Sequence, residues 1–236
     1  VCGSGMRTVM MAADAIKAGS ASIVVAGGME SMTNAPHVLN GSRTGIRYGA
    51  GELLDHMAWD GLTNPYDKQA MGVFADATAE KVGFSREDQD AFAAESARRA
   101  LAAQQSGAFD AEIVPVTVAS RKGDVTFSAD EAPAKVNVEK IPTLKPAFTK
   151  TGTVTAASSS SISDGAAAVV LMSSEAAAAR GVKPLAKVVA HATHAQEPQW
   201  FTTAPVAAIE NVVKKAGWSI DEVEVCESNE AAACGA

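Results

Sequence analysis

The stretch SGMRTVMMAADAIKAGSASIVVAGG, residues 4–28, decides the fold class. Residues 4–18 read as a helix rich in Met and Ala, and Gly19 stops it. Residues 21–26 (ASIVVA) form a short, almost wholly apolar run, which predicts a strand buried on both faces. Gly27-Gly28 then ends that strand. A helix feeding directly into a buried strand is the rhythm of an α/β sheet.

Working outward, the character changes at Thr33. Residues 34–66 are rich in Gly, Asn and Pro and carry little periodicity, which predicts a long irregular excursion. Two helices follow. The first covers 67–82. The second has a start signal in Ser85 and Asp88, spaced as a capping box, and runs to Gln105 before Gly107. Residues 112–119 alternate as a strand does, with Pro115 placing it at an edge, and Lys122-Gly123-Asp124 suits a turn. Residues 130–150 read as loop. Strands are expected at 152–157, 166–172 and 185–194, with a short helix over 174–180. A last helix starts near Pro205 and ends before Gly217, and 219–227 ends in a further strand. The expected organisation is one α/β layer set from residues 1–32 and 152–182, an insertion over 33–151, and a second α/β unit beginning in 183–236.

The chain has 236 residues, 47% hydrophobic and 20% charged, with a formal net charge of -7. That length is ample for a buried core. The acidity argues against nucleic acid or an anionic membrane surface as partner. No stretch is apolar for long enough to span a bilayer as a helix. The three cysteines, Cys2, Cys226 and Cys234, form no pair at metal-binding spacing, so no metal is expected. Free thiols point to a reducing compartment, the cytoplasm. The opening Val1-Cys2 runs straight into a helix pattern and reads as a truncated start.

Chemistry concentrates at Cys2. In Cys2-Gly3-Ser4-Gly5-Met6 the cysteine immediately precedes a helix among small neighbours. A helix N-terminus favours the thiolate, and a thiolate attacks acyl carbonyls. A buried structural cysteine fits the same residue types equally well. Ser158-Ser159-Ser160-Ser161 reads first as a polar turn and second as a loop whose hydroxyls touch a ligand. Asn229-Glu230 follows an expected strand. It reads as a helix start, or as an amide that holds water at a developing oxyanion. His37, His56, His191 and His194 sit in no recognisable motif.

Together these segments resemble the thiolase family. The carrying runs are VCGSGM (1–6), VVAGGMESMTNAP (24–36), MG (71–72), FSREDQDAFAAESARRA (84–100), KPAFTKTGTVTAASSSSISDGAAAVVLM (145–172) and NEA (229–231). The resemblance implies a layered αβαβα fold with an inserted loop domain, incomplete at both ends. It implies acyl transfer between coenzyme A and a cysteine, with acetyl-CoA or another acyl-CoA as partner. The coenzyme A thioester would be substrate, and no cofactor would be permanently bound. The full-length parent would be a homodimer or homotetramer. Cys2 matches the family's acyl-accepting nucleophile, and Asn229 the asparagine that fixes a water in an oxyanion hole. Ser160 matches the serine at the pantetheine of coenzyme A. Phe148, Ala156 and Ile162 match positions lining that tunnel. Met71 matches a methionine near the acyl group, and Phe201 falls where a methionine commonly lies beside the pantetheine.

The sequence also departs from the family's pattern. There is no His-Pro pair, Ala232 replaces the Phe after NEA, and Ala70 stands where many short-chain members have His. Cys234-Gly235 follows NEA too closely to serve as the family's second cysteine. The chain alone is therefore expected not to turn over. A long-chain 3-ketoacyl-CoA thiolase and a non-catalytic protein that binds coenzyme A or acyl chains are the alternative readings. A ketoacyl synthase shares the cysteine but not the TVTAASSSSISDG segment.

Overall fold

A computed structural model describes residues 2–235. In chain order, α1 is Ser4–Lys17, β1 Ile23–Glu30, β2 His37–Leu39 and β3 Leu53–Asp55. A π-turn at Met57–Gly61 precedes α2 (Met71–Val82) and α3 (Arg86–Gln105). The hairpin strands β4 (Val116–Val118) and β5 (Val125–Phe127) lead to α4 (Ala132–Lys135) and a 3₁₀ turn at Val138–Thr143. Then come β6 (Gly165–Met172), α5 (Ser174–Ala179), a 3₁₀ turn at Pro198–Thr203 and α6 (Ala204–Ala216). The packing divides the chain into two compact units. One holds the residues up to Met71 together with Ser161–Glu227; the other holds Gly72–Ser160 and the residues from Ser228 onward.

In the first unit, β1 and β6 pair antiparallel over eight positions, from Ile23↔Met172 to Glu30↔Gly165. The strand does not end at Gly27-Gly28 as expected but runs through them. Gly27 is what permits this: a Cβ there would lie 2.1 Å from the Ala167 carbonyl oxygen, so the two backbones approach closely only without one. α1 packs on β1, burying Ala12, Ala13 and Ala26. The Thr8 hydroxyl lies 2.7 Å from the Gly5 carbonyl and 3.0 Å from the Gly27 carbonyl, which ties helix to strand. The expectation of a strand buried on both faces is corrected. Val25 is 70% and Met29 84% exposed, and Val170 of β6 is 60% exposed. Their side of the sheet is left open, because a two-stranded sheet with a helix on one face buries only that face.

The second unit is built on helices with small faces. Ser85 and Asp88 form the expected capping box, with Ser85 N–H donating to Asp88 at 3.1 Å and Asp88 N–H donating to the Ser85 hydroxyl at 3.0 Å. Ala93 and Ala94 of α3 let Ile141 approach until it is 2% exposed. Ala75 and Ala79 of α2 pack with Val154, Ala232 and Cys234.

Other expectations fail for identifiable reasons. α2 starts at Met71 and not at Asp67: Lys68 has a positive φ of 63° and Asn64 N–H donates to the Gln69 carbonyl, so 64–70 is a closed loop. No ladder forms over 152–157. Four of its donors are taken by side chains: Thr153 and Val154 N–H by Asp76, Thr155 N–H by the Ser158 hydroxyl, and Ala157 N–H by the Thr155 hydroxyl. Residues 185–194 and 223–227 find no ladder partner among the described residues, and Leu185 and Val225 are largely exposed. A strand needs a neighbour for its N–H and C=O groups. The strand over 112–119 contracts to β4, beginning just past Pro115. Among the described residues no helix is long and apolar enough to cross a membrane.

The base of the excursion between β1 and β6 is pinned by Asp164. Thr33 N–H donates to its carboxylate at 2.9 Å and the Ser31 hydroxyl at 3.2 Å. The Thr33 backbone bond is the chief cause holding the Asp164 carboxyl below the usual carboxylate range. A depressed folded value contributes stability that is complete above the unfolded value and lost as pH falls through the folded one. The protection factor of the Thr33 amide is therefore expected to drop as pH is taken below the ordinary value of 3.8. Asp164→Asn should lower it already at neutral pH and flatten the acid step. Hydrogen exchange read residue by residue checks this; a flat wild-type profile would show that Asp164 does not hold the turn.

Candidate active site

Cys2 lies in the turn before α1, with its side chain exposed. Gly3 caps the helix without a side chain and its carbonyl receives Arg7 N–H at 2.9 Å. The thiol thus stands at the positive end of α1, followed by the small residues Gly3, Ser4 and Gly5. It opens onto a cleft of about 880 Å³ whose lining includes Met6, Met29, Met32, His56 and Met57. Within it the His56 Nε2 lies 3.1 Å from the Asp60 carboxylate. The sequence reading left His56 unassigned; its place in this cleft depends on the π-turn, which no sequence pattern announced.

The first unit also carries Met71, Ile162 and Phe201. Met71 is half-buried, and its N–H donates to the Leu62 carbonyl at 2.9 Å, closing the 62–71 loop. That loop is stiffened by Lys68, whose Nζ sits 4.4 Å from the centre of the Trp59 ring. Ile162 is exposed, between Ser161 and Ser163, whose hydroxyls meet at 2.9 Å. Ser163 N–H points to the sulfur of Met32, so the Ile162 turn lies beside the cleft. Phe201 is half-buried in the 3₁₀ turn that leads into α6 and does not line the cleft.

The second unit carries Phe148, Ala156, Ser160 and Asn229, and brings two separate motifs together. Ser160 N–H donates to the Ala231 carbonyl at 3.1 Å and its hydroxyl to the Glu230 carbonyl at 3.0 Å. Ala233 N–H donates to the Ser158 carbonyl at 2.9 Å, and Ser159 bridges Ala232. The serine run and the NEA segment are thereby laced backbone to backbone, with Asn229 exposed at the edge of the clasp. Ala232 is buried in this clasp, which gives a small residue a reason to stand there. Ala156 is exposed on the turn between Thr155 and Ser158.

Phe148 is seated on α2. A Cβ at Gly72 would lie 2.2 Å from the Phe148 Cγ, so the ring occupies the space a side chain would fill. Sequence reading noted the Met71-Gly72 pair but not this use of the glycine. Cys234 is core: it is buried, its Sγ donates to the Ala75 carbonyl at 3.3 Å, and burial pushes its thiol up. Among the described residues no three His, Cys, Asp or Glu gather as a metal site would require.

The comparisons with known proteins agree among themselves. Residues 1–175 match the family model described as Thiolase, N-terminal domain, and residues 182–236 match Thiolase, C-terminal domain. The acetyl-CoA acetyltransferase of Chromobacterium violaceum is 49% identical over all of this chain and 61% of its own length. That of Cupriavidus necator is 47% identical over the same shares. The solved acetyl-CoA acetyltransferase of Syntrophomonas wolfei superposes with a TM-score of 0.94 at 40% identity, over 99% of this chain and 59% of that one. Human mitochondrial 3-ketoacyl-CoA thiolase superposes at 0.92 with 35% identity, over 99% of this chain and 60% of that one. The chain spans about 60% of the length of the relatives it matches.

The seat of Phe148 is open to test. Gly→Ala inside a helix ordinarily stabilises by roughly 0.5–1 kcal/mol. At Gly72 the added methyl meets the ring, and overpacking of this kind is expected to cost about 1–3 kcal/mol. In a Phe148→Ala background the same change should turn neutral or stabilising. Denaturant midpoints of the four chains check this. An equal cost in both backgrounds would mean that the ring is not what Gly72 accommodates.

Proposed function

The chain belongs to the thiolase family, and from that premise we propose that it carries the acyl-accepting machinery of an acetyl-CoA acetyltransferase. The observation that carries this reading is Cys2, exposed at the N-terminus of α1 and opening onto a cleft. Its thiolate attacks the thioester carbonyl of acetyl-CoA. The tetrahedral intermediate so formed collapses, breaking the carbon–sulfur bond to coenzyme A; the released thiolate takes up the proton that Cys2 gave up, and acetyl remains on the Cys2 sulfur. A second acetyl-CoA loses a proton from its methyl carbon to a base. The enolate carbon attacks the acetyl-cysteine carbonyl, a carbon–carbon bond forms, and the Cys2 thiolate leaves. The product is acetoacetyl-CoA, and the reverse is thiolysis.

Both the enolate and the tetrahedral intermediates place negative charge on oxygen, so the chemistry needs hydrogen-bond donors more than ionised side chains. Asn229 would hold the water that meets such an oxyanion. Ser160, Phe148, Ala156, Ile162 and Phe201 would receive the pantetheine arm, and Met71 the acyl group. The relatives named acetyl-CoA acetyltransferase, 45–49% identical among the bacterial ones, favour acetyl over longer acyl chains. The coenzyme A thioester is substrate, the parent assembles with copies of itself, and it works in the cytoplasm.

The first half-reaction tests the proposal on the chain as it is. After incubation with acetyl-CoA, peptide mass spectrometry should find acetyl on Cys2 and not on Cys226 or Cys234, with coenzyme A thiol released in equal amount. Cys2→Ser should reduce thiol release to the rate of spontaneous hydrolysis. Labelling of Cys226 in place of Cys2 would overturn the assignment.

A further inference from the structure

Asp76 lies midway along α2 and is 8% exposed. Burying a carboxylate costs several kcal/mol unless hydrogen bonds replace its water. Among the described residues, the donors that replace it come from one short segment. Thr153 and Val154 N–H both donate to Oδ1 at 2.9 Å, and the Thr149 hydroxyl donates to Oδ2 at 2.8 Å. One carboxylate therefore clamps both ends of the turn 149–154. The fit leaves no slack: a Cβ on Gly152 would lie 2.1 Å from Asp76 Oδ2 and 2.4 Å from the Thr149 hydroxyl.

The neighbours of that turn give the clamp its meaning. On its N-terminal side is Phe148, seated over Gly72, one helical turn before Asp76 on the same face of α2. On its C-terminal side Val154 is fully buried. Thr155 N–H then donates to the Ser158 hydroxyl at 2.9 Å, and two residues later Ser160 donates to Glu230. Gly72 and Asp76 thus fix where the Phe148 ring stands relative to the Ser160 clasp. We propose that Asp76 is a positioning residue for pantetheine recognition: it touches no substrate, but it sets the spacing of the side chains that do. This rests on the reading of Phe148 and Ser160 as pantetheine contacts.

The experiment compares wild type, Asp76→Ala, Asp76→Asn and Thr149→Val in calorimetric titration with pantetheine and with coenzyme A, alongside hydrogen exchange. Asp76→Ala is expected to weaken pantetheine about tenfold, the worth of one charge-assisted hydrogen bond. Exchange should accelerate over 149–160 and stay unchanged in α3. Asp76→Asn, whose amide oxygen can still accept both N–H groups, should recover most of the affinity. Should Asp76→Ala not fold, Thr149→Val, which removes a single bond, carries the test in the same direction. Pantetheine affinity unchanged in a folded Asp76→Ala or Thr149→Val chain would overturn the assignment and leave the acyl-transfer reading standing. Faster exchange throughout α3 with no rescue by asparagine would also overturn it, since the role would then be general stability. A wild-type chain that binds neither ligand would remove the pantetheine reading itself, and this inference with it.

Discussion

The eight-position antiparallel ladder between β1 and β6 is the constraint on which the first unit depends. It joins segments far apart in sequence and returns the chain, after residues 31–164, to the point it left. Closing so long a loop costs only slightly more than closing a shorter one, because the entropy grows with the logarithm of length. The ladder offsets that cost with a full set of strand hydrogen bonds, and Gly27 lets the strands close to full contact. Asp164 then fastens the first residues of the excursion to its last, through Thr33 and Ser31. α1 lies on this ladder and is tied to it by Thr8, so the sheet sets where the N-terminal end of α1, and Cys2 before it, stands.

The second unit solves a different problem. It has no long ladder, and its core is mostly alanine, valine and isoleucine with few aromatics. Small helix faces bring the backbone of 147–158 close to α2 and α3, where its N–H groups would be buried without partners. Side chains supply them: Asp76 serves two, and Ser158 and Thr155 one each. A buried donor left unpaired costs about 1–3 kcal/mol, so this set of side-chain acceptors is what allows an irregular segment to sit in a packed interior.

This difference explains what was legible in the sequence. Helices with local punctuation were read closely: Ser85 with Asp88 and Gly107 bound α3, and Pro205 with Gly217, the latter at a positive φ of 77°, bound α6. Those signals act within a few residues. Strand readings over 152–157 and 185–194 rested on apolar character alone, which cannot say whether a neighbour exists to complete the ladder. At 152–157 the competing acceptor, Asp76, lies more than seventy residues away on a helix. The candidate site divides in the same way. Cys2 was legible because a cysteine before a helix is a local pattern. Resemblance named Ser160 and Asn229 separately and did not pair their segments, so neither the clasp between Ser160 and Glu230 nor the seat at Gly72 and Asp76 was legible; both exist only once the chain packs.

The character of that seat bears on the kind of ligand it suits. Residues 151–163, TGTVTAASSSSIS, contain no ionisable side chain. Of the carboxylates beside it, Asp76 is turned inward and occupied by the protein's own N–H groups, and Asp164 is held by Thr33 N–H and the Ser31 hydroxyl. What the segment offers outward is a small side chain at Ala156 and the hydroxyl of Ser160, which can still accept hydrogen bonds while it donates to Glu230, with the Phe148 ring just before it in the chain. Such a surface has little means of holding a charge and good means of holding a neutral chain of methylenes and amides. The pantetheine arm of coenzyme A is such a chain. A segment that used Lys or Arg here would bind anions more strongly but would lose the uncharged lining along which a neutral chain can lie. The absence of charge in 151–163 therefore supports the proposed pantetheine contact on physical grounds separate from the family pattern that first pointed to it.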